Sequence, residues 1–572
     1  YSDSTADGNF FYRYPGNGVI EDLRRPDGSI YSPLDIFPGG FTPQFKGNVI
    51  DFSLVGGIRG ELDNGLTYDF TGRTGSSEVR YNLFNTINPS LGDVLGQANT
   101  PTNFRPGDLI NEETQFQADF TKELDFGLAS PAVFAFGGSY MAESYEVVSG
   151  DPASYAVGPY AAQDPWDLCN TDMTAAPNGL TAIAGGSTLD CSNSSDPVYT
   201  AVGVGSNGFP GNSPQFIGTF ERESFGIFGE LSADVTDKLF MQGALRYEDY
   251  EDFGSEIVYQ VAGRYEFNDN FAFRGSVGTG FRAPTPGQQG TINVSTRLPN
   301  GVPIAQGLFP PGGPVAAALG ANGLKPETAQ NYTFGFTAAF GDLDLTIDYY
   351  RIDIDDRTNA ISPLTVSTDP TSGSAFANFQ ALDSAGVAGA NTIGAVQYFT
   401  NAFDSRTEGF DIVASYPLDF GDAGTTTLSA AMNYTENSFE SDPSQFLNSE
   451  NQYDFINGDP QWRGIFTGIH NVGDFSLVAR LSWFGEATNS NTGGTGPNGL
   501  RFQNLPNFFQ TDLEGQWQIN DMLRLSVGGR NLFDEFPDRD TISDFCCGRI
   551  YSSGTVVPWQ GGYYYARLRA DF

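Results

Sequence analysis

The sequence predicts an all-β protein, an antiparallel transmembrane β-barrel, and three observations carry that prediction. Apolar and polar side chains alternate with period two along many segments. The connections between segments alternate between tight turns and long loops. Aromatic residues gather near segment ends, as at Tyr247/Tyr250, Tyr349/Tyr350 and Tyr563/Tyr564/Tyr565. Period two places one set of side chains on each face of a sheet. Sorting loops by length onto opposite edges suits a membrane barrel, with short periplasmic turns and long extracellular loops. Aromatic girdles mark the two membrane–water interfaces.

Taken in order, residues 1–44 read as an extracellular loop with part of a strand, and 45–572 as the barrel. Strands are expected at 45–62 and 65–83, joined at Asp63-Asn64-Gly65, then at 112–124 and 131–147. Those at 215–235 and 238–250 meet at Thr236-Asp237, and those at 256–268 and 270–283 at Asn268-Asp269-Asn270. The pair 326–341 and 343–358 turns at Gly341-Asp342, and 397–415 and 424–438 follow. Gly473-Asp474 joins 460–472 to 474–486, and Asn520-Asp521 joins 507–519 to 521–534. The last strand is 560–572. Alternation is plain in "LRLSVGGR", where Leu523, Leu525 and Val527 oppose Arg524, Ser526 and Arg530. In the terminal "YYYARLRADF", Tyr564, Ala566 and Leu568 oppose Tyr565, Arg567 and Arg569. Gly, Pro, Asn, Ser and Thr fill long loops near 84–111, 148–213, 284–325, 359–396, 440–459, 487–506 and 535–559, as solvated segments require.

That reading contains about 17 strands, and its first and last both run inward. Closing an antiparallel barrel needs at least one further outward strand, and residues 1–14 are where the end of one is expected. An unpaired edge in hydrocarbon is not viable. The chain, which opens on Tyr1 with no signal peptide, is therefore expected to be incomplete or to pair with another chain.

Composition narrows the function classes. Carboxylates outnumber Lys and Arg by 69 to 29, for a net charge of −40, which excludes nucleic acid as a partner. Aromatics make up 14% of the residues, too many for a disordered acidic chain. No run reaches the ~18 apolar residues of a spanning helix, which leaves barrels open. With a single histidine, His470, neither triad nor zincin chemistry is expected, and the paired histidines of a zincin motif are missing. No nucleophile–base pair stands out, so no enzyme is expected.

Four cysteines in polar loops suit an oxidising compartment, and of the three possible pairings Cys169–Cys191 with Cys546–Cys547 is the one expected. Two acidic runs, Glu248, Asp249, Glu251, Asp252 and Asp353, Asp355, Asp356, sit at outer strand ends. Such oxygen clusters can bind Ca²⁺ or bridge lipopolysaccharide phosphates through divalent ions. Neither follows an EF-hand order, so a solvated acidic rim is the first reading and Ca²⁺ at the extracellular rim the second. Metal ligation elsewhere is not expected.

Four phrases carry a resemblance: "FRGSVGTGFRAPTPGQ" (273–288), "LKPETAQNYTFGF" (324–336), "SVGGRNLFDEFP" (526–537) and "YYYARLRADF" at the C-terminus. Together they resemble the barrel signatures of TonB-dependent outer-membrane receptors of Gram-negative bacteria, from about residue 45 to the end. The resemblance implies a 22-stranded barrel with a plugged lumen, a multi-pass outer-membrane location and partnership with the TonB complex through a plug segment. Outer-membrane lipids, lipopolysaccharide and a small-molecule nutrient are the other partners implied. The family's plug domain and TonB box would precede the barrel, and neither is among these residues.

On the strand from Phe271, Phe273 and Val277 share the lipid-facing parity, so Arg274 and Arg282 face the lumen. Wall or plug packing is the expected role there, with direct substrate contact second; Arg524, Arg530, Arg567 and Arg569 occupy the same face on later strands. Glu327 with Asn331, and Asn531 with Asp534, read as wall or loop anchors. Haem receptors carry a similar Phe-Arg-Ala-Pro stretch, but pair it with an Asn-Pro-Asn-Leu motif and a histidine that residues 285–330 lack. The expected function is active import of a specific nutrient, oligosaccharide before ferric siderophore, because aromatic, Asn- and Asp-rich loops suit sugars and many siderophores are anionic. The alternatives are a plugless passive porin or structural barrel, and a surface receptor that binds a partner protein through its 148–213 loop.

Overall fold

Tight turns set the inner edge of the sheet. At the first, Leu62 N–H donates to Leu66 O and Gly65 N–H to Leu62 O, and Gly65 takes φ 75°, a left-handed conformation that costs glycine nothing. The computed structural model describes the whole chain except residues 94–95, 97–98, 215–216, 298–303, 388–389, 543–549, 553 and 572. The expected Cys546–Cys547 bridge lies outside the described residues.

Eighteen strands form one antiparallel meander. They are β1 (Ser2–Asn9), β2 (Gln44–Glu61), β3 (Leu66–Phe84), β4 (Phe104–Leu124), β5 (Ala132–Val147) and β6 (Gly218–Thr236). Next come β7 (Leu239–Tyr250), β8 (Gly254–Asn268), β9 (Phe271–Arg282), β10 (Glu327–Phe340), β11 (Leu343–Ala360) and β12 (Ile393–Asp419). The series ends with β13 (Thr425–Phe439), β14 (Trp462–Val472), β15 (Phe475–Phe484), β16 (Phe508–Asn520), β17 (Leu523–Arg530) and β18 (Tyr563–Ala570). Each pairs with its chain neighbours; Arg274, for example, stands in register with Arg264 on one side and Gly335 on the other.

The outward strand expected within residues 1–14 is β1. It runs antiparallel to β2, covering only Gln44–Asp51 at the long-loop end. Its sequence, "SDSTADGN", is exposed throughout, which suits a position beyond the hydrocarbon. β1 and β18 are the two edges and run in opposite directions, but no register joins them among the described residues, so the barrel is not closed.

The sheet has one apolar and one polar face. Phe52, Leu54 and Ile58 project from one side of β2, with Ile58 69% exposed, and Phe225, Ile227 and Leu231 do the same on β6. Large apolar side chains so exposed are a liability in water and a match for lipid. The hydrophobic clusters of the molecule lie instead among the long loops, around Val19–Phe41, Leu168–Val198, and Phe309–Val396.

Those loops contain more structure than their composition suggests. Short helices occur at Pro152–Tyr155, Pro177–Ala184, Pro286–Gly290, Pro314–Ala318, Ser374–Ser384 and Ser449–Asn457. The all-β reading has no place for them, and these helices are too short to display a helical period; packing against their neighbours holds them. Hairpins Asn293–Arg297 with Ile304–Phe309, and Ala487–Thr492 with Leu500–Leu505, add further pairing. β4 and β12 also begin earlier than expected, at Phe104 and Ile393.

Residues 10–43 and the 148–213 loop share one folded lobe. The Cys169–Cys191 disulfide forms within it, with a Cα–Cα separation of 5.6 Å. Arg24 and Asp196, each side chain 4% exposed, make a two-pronged ion pair at 2.9 and 2.7 Å. Arg24 also donates to Gly28 O at 2.7 Å and Thr188 O at 3.1 Å. Burial pushes the Asp196 carboxyl up, but hydrogen bonds from Arg24 and from the Val198 and Asp190 N–H groups prevail and hold it below its ordinary value. A depressed carboxylate contributes stability that is present above the unfolded value and lost as pH falls through the folded one. Arg24→Met strands a buried charge and is expected to destabilise the lobe by about 3–5 kcal/mol. Amide exchange across 187–198 measures this, and unchanged protection in the variant counts against the ion pair as the lobe's clasp. In the native protein the same amides should lose protection as pH drops below about 4.

Candidate functional site in the polar wall and the loop after Arg282

The strand β9 ends in Phe281-Arg282 and runs into Ala283-Pro284-Thr285. Pro284 has no N–H to continue a ladder. Arg282 Nη2 donates to Glu327 Oε1 at 2.8 Å across to β10, and the same oxygen accepts the Thr358 N–H of β11 at 2.5 Å. Arg282 is well exposed while Glu327 is buried. One carboxylate thus ties the outer ends of three strands.

The carbonyl of Pro284 is held as well. Arg222 of β6 donates to it through Nη1 at 2.5 Å, and its other edge grips Glu143 of β5, with Nε at 2.9 Å. The guanidinium lies over the Tyr250 ring, 5.0 Å from its centroid, and Tyr250 meets Phe281 edge to face at 5.7 Å. Thr285 then caps the helix Pro286–Gly290 through a capping box with Gln288. Gly290 ends that helix against Phe220, where a Cβ would fall 2.2 Å from the ring. No larger residue fits without displacing the Phe220 ring or the helix.

Lower in the wall, Arg274 and Asp348 pair bidentately at 2.8 and 2.5 Å. They reach each other over Gly335 of the strand between them, whose Cβ would fall 2.0 Å from Asp348 Oδ1. Arg567 pairs with Glu514 at 3.2 Å, and the Tyr565 hydroxyl donates to the same carboxylate. Arg569 pairs with Asp571 at 2.9 Å and Arg524 donates to Gln518 at 2.8 Å. Arg530 closes β17 opposite Tyr563. The arginines singled out in the sequence share the polar face but are spread along it rather than gathered at one point.

Two groupings escaped sequence reading. Arg222 and Glu143 lie 79 positions apart, and only their polar parity near outer strand ends marks them. Arg351, Asp353, Arg406 and Glu440 form a chain of ion pairs at 2.6–2.8 Å across β11, β12 and the loop after β13. Of the outer loop anchors, Asn531 accepts Glu535 N–H and donates to Glu535 O, and Asp534 accepts Gly562 N–H at 2.7 Å.

The acidic run at 248–252 is divided. Glu248 takes Arg246 and the Tyr250 hydroxyl. Among the described residues no group of three acidic, His or Cys side chains is placed to hold a metal. His470 lies near an inner turn and pairs with Thr426 at 2.8 Å.

A two-faced antiparallel sheet with inner turns, outer lobes and paired arginines on its polar face is the geometry on which the comparisons bear. Residues 2–532 match the TonB dependent receptor-like, beta-barrel family. The chain belongs to the TonB-dependent receptors. It is therefore an outer-membrane protein of a family of transporters. Among solved structures it is similar to the siderophore receptor PirA from Acinetobacter baumannii, at 15% identity and TM-score 0.54, covering 94% of this chain and 64% of that one. It is also similar to a mutant ferric enterobactin receptor, PfeA, from Pseudomonas aeruginosa in complex with enterobactin, at 14% identity and TM-score 0.56, covering 100% and 70%. The ferripyoverdine receptor of the same organism matches at 14% identity and TM-score 0.51, covering 93% and 57%. At these identities the likeness speaks for fold alone. The chain spans about two thirds of PirA or less.

Arg222→Met removes a charged hydrogen bond to Pro284 and is expected to loosen the Pro286–Gly290 helix while leaving the ladder intact. Losing about 2 kcal/mol of such a bond corresponds to roughly thirtyfold faster amide exchange at Gln289 and Thr291. Unchanged exchange there means that the capping box alone holds the loop.

Proposed function

We propose that this chain forms most of the wall of an outer-membrane receptor that captures a nutrient at its long-loop end and admits it through the lumen under TonB control. Family membership over residues 2–532 carries the reading. The wall supports it: Arg274, Arg282 and Arg567 lie on the polar face in pairs with Asp348, Glu327 and Glu514, a surface suited to packing a polar plug. Such a plug would meet ion pairs already made, so that it binds without stranding buried charge.

The oligosaccharide expected from loop composition has no support in the comparisons, whose solved structures are receptors for siderophores. The charge of this chain, −40, gives an anionic chelate an unfavourable field, while a neutral or cationic ligand meets none. Ligand charge, rather than ligand family, is therefore the property on which this reading commits. The passive-porin alternative has no observation in its favour.

The test is uptake by cells making the full-length protein, in hosts with and without TonB, fed mixed nutrients sorted by charge. The expected result is TonB-dependent depletion of at least one neutral or cationic compound. Equal depletion in the TonB-less host would sink the active-import reading, and depletion of anions alone would sink the charge argument.

A further inference from the structure

The outer end of the sheet holds a cavity of about 540 Å³ between the end of β6, the β7–β8 turn and the segment 309–324. Pockets for small ligands have this size, a mostly apolar lining and a few placed polar groups. Here Phe220, Phe253, Phe309 and Pro311 supply the apolar surface. Its walls are set in advance. Phe309 is 1% exposed and packed with Val315 and Leu382, and Phe220 is pressed by Gly290.

Two polar side chains line the cavity, Asp252 and Gln289. Neither side chain makes a hydrogen bond or ion pair with another described residue. Glu251 and Glu223 stand beside them, joined backbone to backbone at 3.2 Å. The neighbouring cations are already engaged, Arg222 by Glu143 and Arg246 by Glu248. The cavity therefore combines an aromatic body, one uncommitted carboxylate, one uncommitted amide and a negative local field.

We infer that this cavity binds a neutral or cationic compound built on a flat apolar ring and carrying a hydrogen-bond donor that faces Asp252. The ring lies against phenylalanine and proline faces, an ammonium or hydroxyl donates to Asp252, and Gln289 takes a second polar group. An anionic compound of the same shape meets like charge with no cation free to offset it. This deepens the import reading and rests on it for physiological meaning, although binding itself can be measured without transport.

The test uses the purified full chain and two probes of matched ring and opposite charge, 1-naphthylmethylammonium and 1-naphthylacetate, followed by fluorescence titration. The cation is expected to bind at least about tenfold more tightly than the anion. Asp252→Asn, a change in an exposed turn, should weaken the cation about tenfold and bring the two probes close together, as loss of a charged hydrogen bond does. Phe253→Ala should weaken both. Equal binding of the two probes to the native protein overturns the inference, as does a selectivity that Asp252→Asn leaves intact. Asp252-dependent binding in a protein that fails the TonB-dependent uptake test leaves the pocket standing and removes the import reading.

Discussion

A backbone that crosses hydrocarbon must satisfy every N–H and C=O within itself, and this constraint organises the rest of the molecule. An antiparallel meander meets it strand by strand, because each connection at the inner edge can be a tight turn of a few residues. The sheet then has no freedom in its side-chain pattern: one parity meets lipid and the other meets the lumen. Ile58 and Leu568, both more than three-fifths exposed, and the pair Arg274–Asp348 behind the lipid face are two consequences of one alternation.

The same constraint moves the hydrophobic cores. A soluble sheet buries its apolar face against a second layer; here lipid takes that place, and the wall needs no core of its own. The buried clusters are found in the outer loops, around Leu168 and Val198, and around Phe309 and Val396. Folded loops of this kind need anchors to the wall. Arg222 provides one by joining Glu143 of one strand to Pro284 of a distant loop. Glu327 provides another by taking both Arg282 and the Thr358 N–H. Arginine serves here because its fork can hold a carboxylate along one edge and a carbonyl along another.

Period two made most strands legible, because each half-exposed segment had to repeat it. It failed where that reason lapses. β1 carries no alternation, since "SDSTADGN" pairs only with the outer part of β2 and has no lipid to face; the directions of the other strands still required it. The start of β4, "FRPGDLIN", reads as a loop because of Pro106 and Gly107, and the ladder is indeed irregular there, with a register shift between Tyr81 and Leu83. The loop helices were hidden by shortness. Parity assigned Arg274 and Arg282 to the polar face, but their partners Asp348 and Glu327 lie 74 and 45 positions away, and only the register of the sheet brings them together. Cys169 and Cys191 were easier, being two cysteines within one loop.

Charge distribution carries the last step. A net charge of −40 sets the sign of the field, and location sets where it acts, because screening in salt limits an exposed carboxylate's reach to about 10 Å. The ion pairs narrow the question. Glu143, Glu327, Asp348 and Glu514 are each matched by an arginine, so these wall carboxylates present little net field to the lumen. Arg222 and Arg246 are consumed in the same way near the outer end of β6 and β7, whereas Asp252 beside them has no matching cation among the described residues. On the import reading proposed above, selectivity toward an entering molecule would arise less from the total than from the few acids left unmatched where the loops meet the wall.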